Sequence, residues 1–203
     1  MNPEESADAT DPTGRPPWLD APVPGPYPFE ETYDLRTGPD LHPNLLGLLP
    51  FIGVWRGRGS GEYPTIEPFE YAQELRISHD GRPFLFYESR AWLVTPEGEP
   101  IRPGGREVGW WRVVMDGGKP TDEVEALFAT PTGVQELHIG KVSGVRLEMS
   151  TDAVMRTSTA KEVTAGHRLY GIVDRALLYA QDMAAVGQPL SSHLAAKLTR
   201  VAG

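Results

Sequence analysis

The chain has 203 residues, enough for one sizeable hydrophobic core and too few to demand a second domain. Its composition is 39% hydrophobic and 23% charged, with 22 glycines and 20 prolines, and so many turn formers favour an all-β architecture over a helical one. A net charge of −9 and a pI near 5.0, with no Lys/Arg cluster, exclude a nucleic-acid or anionic-membrane partner; the absence of cysteine excludes disulfides, thiolate metal ligands and cysteine nucleophiles.

Residues 1–43 read as a proline-rich, largely disordered extension, since half of the prolines precede Leu45 and proline donates no backbone hydrogen bond. Trp18, Tyr27 and Phe29 are read as parts of this loose tail. The first thirty residues contain no apolar run of the kind a secretory signal needs, and the longest apolar stretch, Leu45 to Trp55, is broken by Gly47, Pro50 and Gly53. A cytoplasmic address is expected.

Leu45, Leu46, Leu48 and Leu49 suit a short helix over 42–51 capped by Asn44, after which the apolar period changes to two. Phe69, Tyr71, Gln73, Leu75 and Ile77 share one parity and run into His79-Asp80-Gly81-Arg82, whose Asp-Gly pair suits a tight hairpin. Further strands are expected over 83–93, 107–115, 123–129, 133–140, 145–150, 161–173 and 176–184, with turns at Asp116-Gly117-Gly118 and Thr132-Gly133. Residues 191–201 fit both a strand and a helical face; a strand is preferred, because so long a meander must close or expose an edge. The expectation is an all-β, antiparallel up-and-down barrel of about ten strands over residues 44–203.

Gly53-Val54-Trp55-Arg56-Gly57-Arg58-Gly59 reads G-x-W-x-G-x-G and is followed after Ser60 by Gly61-Glu62-Tyr63-Pro64-Thr65-Ile66. A Trp among glycines lets a bulky ring plug a barrel end while neighbouring backbones approach closely. Three further blocks are Phe69-Glu70-Tyr71, then Thr159-Ala160-Lys161-Glu162-Val163-Thr164, then Met183-Ala184-Ala185-Val186-Gly187-Gln188-Pro189-Leu190-Ser191-Ser192-His193-Leu194. With these blocks in order from about Leu45 to the C-terminus, the chain resembles the nitrobindins, also called peroxynitrite isomerases. The resemblance implies a ten-stranded antiparallel barrel with one haem b in a wide, solvent-facing cleft. It also implies peroxynitrite isomerisation to nitrate at a ferric iron, nitric oxide as a further ligand, and is compatible with a homodimer.

Of the five histidines, His79 reads as a solvated turn residue and His138 as water-facing from its parity with Glu136. His42 precedes the first strand, and His167 shows no pattern. His193 lies among Leu194, Ala195 and Ala196, small and apolar neighbours that suit a flat macrocycle, and a neutral imidazole offers the lone pair that iron needs. The resemblance makes His193 the axial ligand, because it follows Pro189-Leu190 as the family's proximal histidine does. The same carry-over offers Met183 as a cavity-lining thioether, Lys161 as a haem-propionate partner and Thr65 as a rim contact, each balanced against an ordinary packing or surface role. Some members carry a distal histidine ahead of the strand starting near Glu107. Here Ile101-Arg102-Pro103-Gly104-Gly105-Arg106 stands there, read as a Gly-rich loop with surface arginines, so no distal donor is identified. The alternative function is a barrel carrying a fatty acid or another small apolar ligand.

Overall fold

The computed structural model describes residues 14, 16 and 18–203; the rest of the proline-rich segment lies outside the described residues. Ten strands form: β1 (Gly53–Tyr63), β2 (Ile66–Ser78), β3 (Leu85–Val94), β4 (Pro100–Asp116), β5 (Lys119–Ala129), β6 (Val134–Ser143), β7 (Arg146–Arg156), β8 (Val163–Val173), β9 (Ala176–Ala185) and β10 (Ser191–Ala202). Each pairs antiparallel with the next and β10 returns to β1, so the meander closes into a barrel with no edge strand, although β7 and β8 pair only over residues 146–150 and 167–171. The expected all-β barrel is the fold observed. In β2 the shared parity holds, with Tyr71, Gln73, Leu75 and Ile77 buried; in β10, Ala196 and Leu198 alternate inward, which settles the last segment as a strand.

One end of the barrel is plugged. The chain enters as a 3₁₀ helix, Pro43–Phe51, that buries Leu45, Leu48 and Phe51, and its N-cap is His42, whose Nδ1 accepts from the Asn44 N–H at 3.2 Å. The expected cap, Asn44, instead directs its side-chain amide to Met115. Trp55 is fully buried against this plug, donates from Nε1 to the Phe51 carbonyl at 2.9 Å and carries the Arg200 guanidinium 4.4 Å above its ring. Each such large apolar side chain contributes roughly 1.5–3 kcal/mol by leaving water.

Four expectations are corrected. Residues 101–106 are not a loop: β4 begins at Pro100, and two steps along β3, Arg90 to Trp92, oppose three along β4, Arg106 to Pro103. A bulge absorbs the extra residue and tolerates Pro103, which has no N–H to give. His79 is buried, because its N–H and C=O exchange 2.8 Å hydrogen bonds with Thr32, a residue ahead of the barrel that local hairpin chemistry cannot reveal. His138 also points inward, fully buried, while Ile139 faces solvent; the interior is polar at that level, so polarity was a false guide to the outer face. Lys161 lies ahead of β8 rather than in it. Trp18, Tyr27 and Phe29 are exposed, and no helix among the described residues is long and apolar enough to cross a membrane.

The β8–β9 turn carries local strain. Asp174 and Arg175 both adopt positive φ, 49° and 64°, the backbone of a tight hairpin turn that L-residues with a Cβ resist. Replacing the pair by Asn-Gly is expected to raise stability by about 1 kcal/mol. The urea midpoint should rise at unchanged slope.

Candidate functional site

The end of the barrel opposite the plug opens into a cavity of about 310 Å³. Three of the barrel's bulges lie at this rim: β4 around Gly104 and Gly105, β8 between Val163 and Ala165, and β10 between Ser192 and Leu194. The last one matters most. Ser192 pairs with Asp182 and Leu194 with Gln181, so His193 is the extra residue of β10, without a partner on β9. In a regular strand His193 and Leu194 would face opposite sides; with the bulge both line the cavity.

The orientation of the ring is fixed from behind. His193 Nδ1 lies 3.1 Å from the backbone carbonyl of Glu62, which only accepts, so Nδ1 carries the proton and Nε2 keeps its lone pair. Tyr63 packs edge-on to the imidazole, with centroids 5.5 Å apart, and its hydroxyl accepts from the Ala185 N–H at 2.8 Å. The end of β1 is thereby tied to β9, and the histidine rests on that tie. Met183 on β9 lines the same cavity. Thr65, in the β1–β2 turn, and Lys161, in the β7–β8 connection, are exposed at the open end and do not border it.

The cavity floor holds groups that the sequence reading did not assign. Arg168 on β8 is 2% exposed and grips Glu107 with two 2.7 Å hydrogen bonds, reaches Glu136 at 3.0 Å, and stacks over Phe128 at 3.9 Å. Burial opposes the guanidinium's charge, but the two carboxylates outweigh it and hold its pKa well above the ordinary value. Glu136 is pushed up by burial, yet the hydrogen bond from His138 and the charge of Arg168 bring it below the usual range. His138 is kept neutral, chiefly by burial. Beside this cluster, Tyr71, Tyr179, Gln73 and Ser89 form a hydrogen-bonded row. Burial pushes the Tyr71 phenol up to about 12, and that of Tyr179 also rises, so both stay protonated. A lone glutamine on the apolar parity of β2 was the one signal for this row. Arg106 lines the cavity but is paired with Glu88 at 3.0 Å, and Arg102 is exposed.

A family model described as the THAP4-like, heme-binding beta-barrel domain matches residues 44–200. The chain belongs to this family, the nitrobindins. A protein from Salinispora tropica named peroxynitrite isomerase is 69% identical over 93% of this chain and 96% of its own length; one of the same name from Salinispora arenicola is 68% identical over the same shares. The crystal structure of Rv2717c from M. tuberculosis superposes with a TM-score of 0.69 at 42% identity, covering 79% of this chain and 99% of that one. The donor set of this nitrobindin barrel suits its family's ligand. Among the described residues no three His, Cys, Asp or Glu side chains gather around a bare ion, whereas a porphyrin-held metal asks for a single protein donor. His193 offers one free nitrogen, and Phe69, Leu93, Val163, Met183 and Leu194 give the cavity an apolar wall against which a macrocycle packs.

Proposed function

We propose that this chain binds one haem b through His193 Nε2, isomerises peroxynitrite to nitrate, and takes nitric oxide at the same place. The observation that carries the reading is the bulge at His193, which turns the imidazole into the cavity while the Glu62 carbonyl holds Nδ1–H. When bound, the haem would supply a ferric Lewis acid with one open coordination position. The protein's own groups do the rest. The Glu62 carbonyl fixes the tautomer of His193 and raises its basicity. Tyr63 limits rotation of the ring, and the Met183 and Leu194 side chains exclude water from one side of the cavity. Lys161 and Thr65, in turns at the open end, are the candidates for the carboxylate edge and rim of the macrocycle.

A fatty-acid carrier finds less support. The buried cation that would receive a lipid carboxylate, Arg168, already holds Glu107 at both terminal nitrogens. Haem added to the purified chain should give a saturable Soret band and haem-dependent nitrate formation from peroxynitrite; His193→Ala should lose both. A variant that binds haem and forms nitrate as the parent does would overturn the reading.

A further inference from the structure

The row beside the charged cluster has a direction. The Tyr179 hydroxyl donates to Gln73 Oε1 at 2.8 Å, which leaves Tyr71 as the donor at the 2.6 Å contact between the two phenols, a far shorter reach than the 3.3 Å to its other acceptor, the Ala195 carbonyl. Gln73 passes the polarity on, donating from Nε2 to Ser89 Oγ at 2.7 Å. Ser89 therefore receives, and its own proton has no acceptor among the described residues although the residue is only 7% exposed. All four side chains line the cavity. The nearest carboxylate in register on β4, Glu107, has both oxygens engaged by Arg168.

A buried hydroxyl without an acceptor is destabilising, a cost removed when something in the cavity accepts. Polarisation along the row strengthens the last donor. The row is held in place by the glycine motif: a Cβ at Gly59 would sit 2.6 Å from the Tyr71 phenol oxygen, so only glycine leaves room for Tyr71 to meet Tyr179.

We propose that Ser89 is the ligand-facing hydrogen-bond donor of this cavity, aimed by Gln73, Tyr179 and Tyr71 at an oxygen atom of a small nitrogen oxide. It takes the part for which no distal histidine was found. This inference rests on the haem reading above, with Ser89 touching the ligand and the other three positioning it.

The test uses the full chain loaded with haem, with carbon monoxide on the ferrous form and azide on the ferric form as probes. Ser89→Ala should raise the carbon monoxide stretching frequency and weaken azide binding roughly tenfold, the factor for about one hydrogen bond. Ser89→Thr should restore both, and Gln73→Leu, which removes the aim but keeps the hydroxyl, should shift the stretch the same way. Should Ser89→Ala fail to load haem, Gln73→Leu decides on its own. An unchanged stretch in variants with a normal Soret band overturns the role of Ser89 and leaves the haem reading standing. Absence of a Soret band in the parent protein overturns both.

Discussion

Arg168→Ala is expected to destabilise the barrel by about 3–5 kcal/mol, a large share of a single domain's stability. Among the described residues the Arg168 guanidinium is the one permanent charge paired with Glu107 and Glu136 at the cavity floor, and their side chains are just 15% and 10% exposed. Removing it leaves two desolvated carboxylates facing each other, which costs far more than the pair contributed. Lysine would not substitute, because its point charge cannot meet Glu107 with two parallel N–H bonds while lying flat on Phe128. The direction of the pH effect distinguishes this cause from lost packing. Without Arg168 the carboxyls acquire raised pKa values, so they favour the folded state when protonated, and the gap between variant and parent should narrow as pH falls from 7 towards 5. Arg168→Met combined with Glu107→Gln and Glu136→Gln should recover most of the loss, since it removes the charges together. Urea unfolding of the three proteins reads the difference. A single variant within 1 kcal/mol of the parent would mean that water already screens the cluster.

Most of the barrel was legible because solvent and core alternate along its strands. Tyr71, Leu75 and Ile77 follow that rule, and turn glycines mark the hairpins. Where the cavity replaces the core, the rule fails. Glu136 faces inward because Arg168 waits there, and Arg168 reaches it from another strand, 32 residues further along the chain and beyond any local pattern; His138, on the same parity, is buried with it. The same holds for His79, covered by Thr32. The structure places His193 at the cavity, by a geometry that the sequence did not display. Its selection rested on the run after Pro189-Leu190, whereas the bulge that turns it inward and the Glu62 carbonyl behind it belong to pairing across β1, β9 and β10.

Acidification from pH 7.5 to 5.5 is expected to weaken the fold, with a slope of at most about 2.7 kcal/mol per pH unit, the limit for two protons taken up on unfolding. The two groups are His79 and His138. Burial lowers both pKa values, the former offset in part by Asp80, the latter by Glu136 and Glu107 and assisted by the positive charge of Arg168. Both ring nitrogens of His79 and Nδ1 of His138 are buried without a hydrogen-bond partner, so a proton added there would meet neither water nor an acceptor. A histidine with a depressed folded pKa binds its proton more readily in the unfolded chain. Stability is therefore full above the unfolded value near 6.5 and falls below it until the folded value is passed. The depressed carboxylates Glu136 and Asp80 act lower, their contribution being present above about pH 4 and lost beneath it. Urea midpoints of the full chain at pH 7.5, 6.5 and 5.5 give the slope, and His79→Gln or His138→Gln should each halve it. A flat profile across that range would show that neither ring is held neutral. Because the pI lies near 5.0, the pH at which net repulsion vanishes falls inside the window of lost stability. Partly unfolded chains would then meet without charge to keep them apart, so aggregation should track the titration of these two rings rather than the pI alone.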